Sequence, residues 1–155
     1  MSMKDRFMIG FIAGAVGGIS ATLVSFPFYI LKLIKLRFLD YAAILILGKS
    51  PQGTLEIIFG ELIHWGFSGA IGVLFAYLVN HEIITNKNLW LKGWGFGLGF
   101  WFLINVLSTI YKVNNLAVVP VGTAIINALA SSVLGIVMAF VFNWLNNTET
   151  LKGRN

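Results

Sequence analysis

One stretch, Phe7–Leu31, constrains this chain more than any other feature, because its 25 residues include no charged side chain. A helix rises about 1.5 Å per residue, so about 20 apolar residues cross a hydrocarbon core about 30 Å thick. The stretch exceeds that length, and it also exceeds the apolar core of about 7–15 residues in a cleavable signal peptide. It therefore predicts a membrane-spanning helix.

Three further apolar stretches are long enough to cross a membrane in the same way. Trp90, Trp94 and Trp144 stand near their ends, as in the aromatic belts of membrane proteins. The four expected spans are residues 7–31, 54–80, 89–111 and 121–145. The sequence thus predicts an all-α integral membrane protein, a single transmembrane domain over residues 1–155 in which four transmembrane helices form a bundle.

The connection between the first two spans predicts one shorter helix. Its apolar run, Phe38–Gly48, has 11 residues and reaches only about half the hydrocarbon thickness. Residues 36–48 are therefore expected to form an interfacial or a re-entrant helix. Arg37 and Asp40 stand three positions apart, a spacing that lets them pair. Thr54 is expected to cap the second span.

Composition supports a membrane protein and excludes several other classes. The chain is 57% hydrophobic and 11% charged, whereas a soluble domain has about 25% charged residues. It has no cysteine, which excludes disulfides and thiolate metal sites. Its net charge of +5 comes from single basic residues between apolar runs. They indicate contact with the lipid bilayer and its headgroups, and no nucleic acid is expected as a partner.

The orientation of the four spans depends on a narrow difference in basic residues. An even number of spans places both termini on one side. The basic residues on the side of the termini are Lys4, Arg6, Lys87, Lys92, Lys152 and Arg154, and those on the other side are Lys32, Lys35, Arg37, Lys49 and Lys112. Since Lys and Arg concentrate in cytoplasmic loops, six against five favours cytoplasmic termini.

The spans also carry a weak internal repeat. A shift of 63 residues brings the second span onto the fourth and matches Ser68 with Ser131, Gly72 with Gly135, Ala76 with Ala139 and Asn80 with Asn143. A shift near 87 residues places Gly10 on Gly97. Two duplicated helical hairpins, the first with an insertion, would be related by an axis along the membrane normal. Chance recurrence of small residues is the alternative.

Small residues recur at four-residue spacing along the spans. Such ladders let helix backbones approach closely, which favours packing in lipid. They predict packing within the bundle and, since there are more of them than one bundle needs, a homo-oligomer. The residues expected at helix contacts are Gly10, Gly14, Gly18, Gly72, Gly97 and Gly135.

Five polar residues within the spans are candidates for a site in the membrane. Glu56, Glu61 and His64 lie near one end of the second span, while Asn105 and Asn127 lie in the third and fourth. Glu61 and His64 share a helix face, so they are expected to pair, either to fix the helix register or to handle protons or ions. The asparagines are expected to bond between helices or to complete a pocket around that pair.

Metal and catalytic sites are not expected. A metal site needs three or four convergent ligands, and the single Glu-x-x-His unit at Glu61 and His64 falls short of the paired units in di-iron bundles. Ser68 stands one turn after His64 on the same helix, but nothing in the sequence indicates an activated nucleophile. We predict no cofactor, no metal and no catalytic residue, with an intramembrane metalloenzyme as a distant alternative.

Three segments carry a resemblance to known proteins: LRFLDYAAILILGKSPQGTLEIIFGELIHWGFSGAIGVLFAYL, LKGWGFGLGFWFLI and GTAIINALASSVLG. They resemble a group of small four-span membrane proteins of anaerobic and spore-forming Gram-positive bacteria, to which no activity is assigned. The resemblance implies a multi-pass protein of the bacterial cytoplasmic membrane. The glycine-rich first span and the segment from His64 to Ser68 are similar to the YagU-type inner-membrane family, which is linked loosely to acid resistance.

Two hypotheses for function remain open. In the first, the protein is a structural or accessory subunit that self-associates or docks another membrane protein. In the second, it is a small proton- or ion-linked transporter or channel, in which Glu61 and His64 act while Asn105 and Asn127 line the path.

Overall fold

The protein is an all-α bundle of five helices in the part of the chain that the structure describes. The computed structural model describes residues 3–113 and 115–152, with side chains from 6 to 113 and from 115 to 148. The helices are α1 (Met3–Ile30), α2 (Phe38–Leu47), α3 (Thr54–Asn80), α4 (Leu89–Ile110) and α5 (Val121–Lys152).

Four of these helices are long and apolar enough to cross a membrane, which confirms the expected fold class. The candidate spans are Arg6–Ile30, Thr54–Asn80, Leu89–Ile110 and Val121–Thr148. The expected cap at Thr54 is wrong by one residue, because Gly53 occupies the cap position and Thr54 begins α3. The protein is therefore a multi-pass membrane protein.

The four spans pack side by side in the order α3, α1, α5 and α4. α1 packs against both α3 and α5, α5 packs against α4, and α2 lies against α3. The backbones of α3 and α4 do not pack closely against each other. Phe75, Met138 and Phe142 are almost fully buried in the core that the long helices share. The seam between α3 and α4 is thus the open side of the bundle.

Glycines bring α1 and α3 into backbone contact. A Cβ added at Gly14 would overlap the Ser68 carbonyl oxygen, and one at Gly72 would overlap the Gly10 carbonyl oxygen. Gly18 faces the side chain of Ser68 instead, whose Oγ and Cβ would lie 2.6 and 2.7 Å from an added Cβ. These positions were expected to pack helices, and they do so within one chain.

The pair α4 and α5 repeats this contact pattern and corrects the expected register. Gly93 meets Gly135 and Ala139, and Gly97 meets Ser131 and Gly135. In the first pair Gly10 meets Gly72 and Ala76, and Gly14 meets Ser68 and Gly72. The shift from α1 to α4 is therefore 83 residues (Gly10 to Gly93), one helical turn less than 87, while 63 residues (Gly72 to Gly135) holds for α3 and α5. With this register Ser25 falls on Ser108, and both are buried.

The short helix α2 is the insertion in the first hairpin. It sits at the end of the bundle where α1 and α4 end and α3 and α5 begin. Leu39, Tyr41 and Ile44 are buried, and Gly60 of α3 approaches the Leu39 carbonyl oxygen so closely that a Cβ there would lie 2.7 Å from it. Its last turn is exposed. α2 therefore closes one end of the open seam.

Candidate functional site: an apolar cavity between α3 and α4

A cavity of about 260 Å³ lies in the open seam between α3 and α4. α5 forms its floor and α2 its end wall, and its lining is almost wholly apolar. Leu45, Ile46 and Phe67 on its rim have exposed fractions of 48%, 60% and 46%. Because the rim lies on the outer surface between two candidate spanning helices, the cavity opens sideways between α3 and α4.

The cavity forms because equivalent positions in the two halves of the chain carry side chains of different size at this seam. In the closed seam between α1 and α5, Gly17 contacts the Leu134 carbonyl oxygen, and Ala21 packs against Leu134. The repeat places Phe100 and Ile104 of α4 at the positions of Gly17 and Ala21, and both line the cavity. Small side chains let α1 and α5 close, whereas these large ones hold α4 away from α3.

Aromatic rings close the other end of the cavity. Phe75 of α3 and Phe96 of α4 have ring centroids 5.3 Å apart, and Phe96 and Phe100 are 5.1 Å apart. Phe75 also meets Phe142 of α5 edge-on, with centroids 6.0 Å apart. The cavity is thus bounded by this aromatic cluster at one end and by α2 at the other.

Two of the polar residues singled out in the sequence, His64 and Asn105, line the cavity. The His64 ring stacks on Phe38 of α2, with centroids 5.2 Å apart, and its Nε2 lies 3.3 Å from the Gly18 carbonyl oxygen. The Asn105 amide donates to the Trp101 carbonyl oxygen one turn earlier, at 2.7 Å. His64 Nε2 and the Asn105 amide nitrogen both bond to backbone oxygens, and the lining as a whole presents little polar surface.

Glu61 turns away from the cavity. Thr22 of α1 donates a hydrogen bond to Glu61 Oε1 at 2.6 Å, while Oε2 is buried without a partner among the described residues. The expected pairing of Glu61 with His64 does not form, since His64 bonds to Gly18 instead. Glu61 therefore ties α3 to α1.

Glu56 and Asn127 also lie outside the cavity. Glu56 accepts from Lys49 Nζ at 2.6 Å and from the Gln52 backbone N–H at 2.8 Å, which orders the turn before α3. Asn127 is fully buried and donates to the Leu36 carbonyl oxygen at 3.2 Å. The structure thus divides the five candidate polar residues among four places: the cavity, the Thr22 contact, the turn before α3 and the Leu36 contact.

A buried ion pair joins the α1–α2 connection to α2. Arg37 and Asp40 are 8% and 5% exposed, and the guanidinium makes two bonds to the carboxylate, at 3.0 and 3.1 Å. The Arg37 backbone N–H also donates to Asp40 Oδ2, at 2.6 Å, and the guanidinium stacks on Tyr29 at 3.9 Å. Burial lowers the pKa of Arg37, but the bonds to Asp40 outweigh it, so the pKa lies above its ordinary value. The pairing expected from the i,i+3 spacing is present.

No group of three or more metal-ligating side chains comes together in residues 6–113 and 115–148. Glu61 and His64 bond to different partners on α1, and Asp40 is held by Arg37.

Several residues that shape the site escaped the sequence analysis. Phe38, Trp101 and Ile104 line the cavity, and Thr22 bonds Glu61. A repeat register of 83 residues would have pointed to Ile104, because it places a large side chain where Ala21 stands in a tightly packed seam. Nothing local marks Phe38, whose contact with His64 depends on how α2 folds back.

Comparisons with protein-family models, with curated proteins and with solved structures find no match to this chain.

Proposed function

We propose that this protein is a small accessory membrane protein that holds the hydrocarbon part of a lipophilic molecule between α3 and α4. The observation that carries this proposal is an apolar cavity whose rim lies between two spanning helices. An engineered apolar cavity of roughly 150 Å³ stays dry and binds benzene. A cavity of about 260 Å³ has room for a segment of a hydrocarbon chain.

The surroundings of the cavity favour such an occupant. An empty cavity deprives its lining atoms of packing partners, and lipid chains are the most abundant apolar groups beside a spanning helix. Each buried methylene contributes about 0.8 kcal/mol when it leaves water, although a chain that arrives from lipid gains packing contacts rather than dehydration. No Asp, Glu, Lys or Arg from the described residues lines the cavity. Its occupant is therefore apolar where it contacts the protein.

Ala42 is the position at which to test occupancy. It lies on α2 and lines the cavity, so a leucine there fills part of the space that a chain would use. We expect Ala42→Leu to lower the retention of lipid about tenfold, which corresponds to about 1.4 kcal/mol of lost packing contacts. Native mass spectrometry of the gently purified protein measures the lipid retained per subunit, and it also reports whether subunits associate.

The matched control is Ala70→Leu, because Ala70 is exposed on α3 and does not line the cavity. It adds the same side chain to the lipid-facing surface and should leave retention unchanged. Equal retention in the wild type and in Ala42→Leu would contradict the proposal.

A proton- or ion-linked transporter has weaker support. It is favoured by the buried Glu61 Oε2, which has no partner among the described residues. It is disfavoured because Glu61, His64 and Asn127 bond in separate places and do not face one aqueous path. Ion flux in liposomes that is lost in Glu61→Gln would support this alternative.

We further propose that the protein lies in a bacterial cytoplasmic membrane with both termini in the cytoplasm. The support is the resemblance to small four-span proteins of Gram-positive bacteria and the count of six basic residues against five. A green fluorescent protein fused to the C-terminus is expected to fluoresce and an alkaline phosphatase fused there to be inactive. The reverse result would place the termini outside.

A further inference from the structure

The floor of the cavity carries a hydroxyl group, that of Ser131, which makes no hydrogen bond to any residue that the structure describes. Ser68, its equivalent in the repeat, donates to the His64 carbonyl oxygen at 2.8 Å, and the next residue, Ser132, donates to the Ala128 carbonyl oxygen at 2.9 Å. Both bond to the carbonyl one turn earlier, as a serine within a helix commonly does. Ser131 is only 4% exposed, so bulk solvent does not replace that bond.

The other hydrogen-bond donors of the lining are bonded or covered. His64 Nε2 and the Asn105 amide nitrogen bond to backbone oxygens. Tyr41 OH and Trp101 Nε1 have no partner among the described residues, but protein atoms cover both, so an occupant of the cavity does not reach them. The Ser131 oxygen is not covered in this way, and it therefore opens onto the cavity. Ser131 is thus the free donor that an occupant meets.

Ser131 lies near the middle of its span. It comes ten residues after Val121, where α5 begins, which is about 15 Å along the helix and about half the thickness of a hydrocarbon core. A phospholipid anchored at its headgroup has only methylene groups at that depth, and they offer no acceptor. An acceptor for Ser131 therefore has to come from a molecule that enters the hydrocarbon with a neutral polar group. A carbonyl oxygen suits this position, because it accepts a hydrogen bond without bringing a second donor that needs a partner.

The walls around Ser131 favour a flat molecule. Aromatic rings pack favourably against other rings in offset or edge-on arrangements. The lining residues that carry rings are Phe38, Tyr41, His64, Phe67, Phe100 and Trp101. A ring-bearing occupant would therefore find packing partners on several sides of the cavity.

From these observations we propose that the cavity binds a neutral, flat carbonyl compound of the quinone type, whose carbonyl oxygen accepts a hydrogen bond from Ser131. This inference rests on the proposed function, since it needs an occupant in the cavity, and it adds one polar contact to that occupant. It concerns binding alone and includes no redox step.

The test measures how the purified, full-length protein in detergent binds two probes, menadione and 2-methylnaphthalene. The probes share a carbon skeleton and differ by the two carbonyl oxygens of menadione. Equilibrium dialysis with equal detergent on both sides gives the Kd of each probe without a contribution from partitioning into micelles. We expect Ser131→Ala to weaken the binding of menadione about fivefold, the size of one hydrogen bond, and to leave that of 2-methylnaphthalene unchanged.

Ser132→Ala is the matched control, because it removes the same hydroxyl from the next residue, which does not line the cavity and already bonds to Ala128. It should leave the binding of both probes unchanged. If Ser131→Ala binds menadione as tightly as the wild type does, the hydroxyl bonds elsewhere and the inference is overturned. An equal weakening in Ser132→Ala would overturn it too, because the effect would then not belong to the cavity.

Ala42→Leu separates this inference from the proposed function. If it weakens the binding of both probes while Ser131→Ala weakens neither, the cavity holds lipophilic molecules but does not select a carbonyl, and only this inference is wrong. If neither probe binds the wild type, this inference is wrong as well, whereas lipid retention still tests the proposed function. If both probes bind and Ala42→Leu weakens neither, the cavity is not the binding site and both proposals are wrong. The expected result is that Ala42→Leu weakens both probes and Ser131→Ala weakens menadione alone.

Discussion

Replacing Arg37 with alanine is expected to lower the free energy of unfolding by about 3–5 kcal/mol, because it leaves the Asp40 carboxylate buried without its partner. Asp40 is only 5% exposed, and Arg37 supplies three of its hydrogen bonds, one from the backbone and two from the guanidinium. The backbone bond survives the substitution, while the two charged bonds and the stacking on Tyr29 are lost. Unfolding in detergent by titrated denaturant measures the change.

The exposed pair of Lys49 and Glu56 is the matched control. Its bond length of 2.6 Å is as short as any in the Arg37 pair, but the Lys49 side chain is 58% exposed. Water replaces the lost partner there, so Lys49→Ala should cause no measurable change.

A double variant separates the charge effect from packing. Arg37→Met with Asp40→Asn leaves no buried charge and keeps an acceptor for the Arg37 backbone N–H, so it should recover much of the lost stability. If Arg37→Ala lowers the free energy of unfolding no more than Lys49→Ala does, then water reaches the α2 end of the bundle, and the ion pair does not stabilise that end.

Substituting alanine for Gly14 or for Gly97 is expected to destabilise the protein by about 1–3 kcal/mol or more, because overpacking forces the backbone to shift. At either position the new Cβ would overlap a carbonyl oxygen of the neighbouring helix, that of Ser68 or of Ser131. A backbone oxygen cannot turn aside as the end of a flexible side chain can. The same titration measures both variants.

Gly95→Ala and Gly99→Ala are the controls on the same helix as Gly97. A Cβ at either position meets nothing within 4 Å, and alanine is the better helix former by about 1 kcal/mol. These variants should be neutral or slightly stabilising. If Gly95→Ala lowers the free energy of unfolding as much as Gly97→Ala does, this face of α4 packs against a second subunit.

Gly14 and Gly97 also test the repeat, because a shift of 83 residues makes them equivalent. Alanine at Gly14 and alanine at Gly97 should therefore lower the free energy of unfolding by similar amounts. With a shift of 87 residues Gly97 would correspond to Gly10, whose Cβ would lie 2.8 Å from both Ala76 Cβ and the Gly72 carbonyl oxygen.

Much of the fold was predictable because apolar length alone decides which segments cross a membrane. The expected span 54–80 coincides with α3, and 89–111 differs from α4 by one residue. The pair of Arg37 and Asp40 was predictable too, since a local i,i+3 spacing brings such side chains together on one face of a helix. Both inferences use only neighbours along the chain.

The candidate site was only partly predictable, since its residues come from four helices. The sequence indicated His64 and Asn105, which line the cavity, but Glu61 and Asn127 bond elsewhere. A polar residue in a span shows that it needs a partner, and the sequence does not show on which helix that partner lies.

By itself, the sequence determined that this is a four-span helical membrane protein with a short helix between its first two spans, since these depend on the length and period of apolar segments. Only the tertiary structure decided which seam stays open. There the size of facing side chains matters: Gly17 and Ala21 let α1 close on α5, whereas Phe100 and Ile104 keep α4 off α3. That difference between the two halves of the chain creates the cavity.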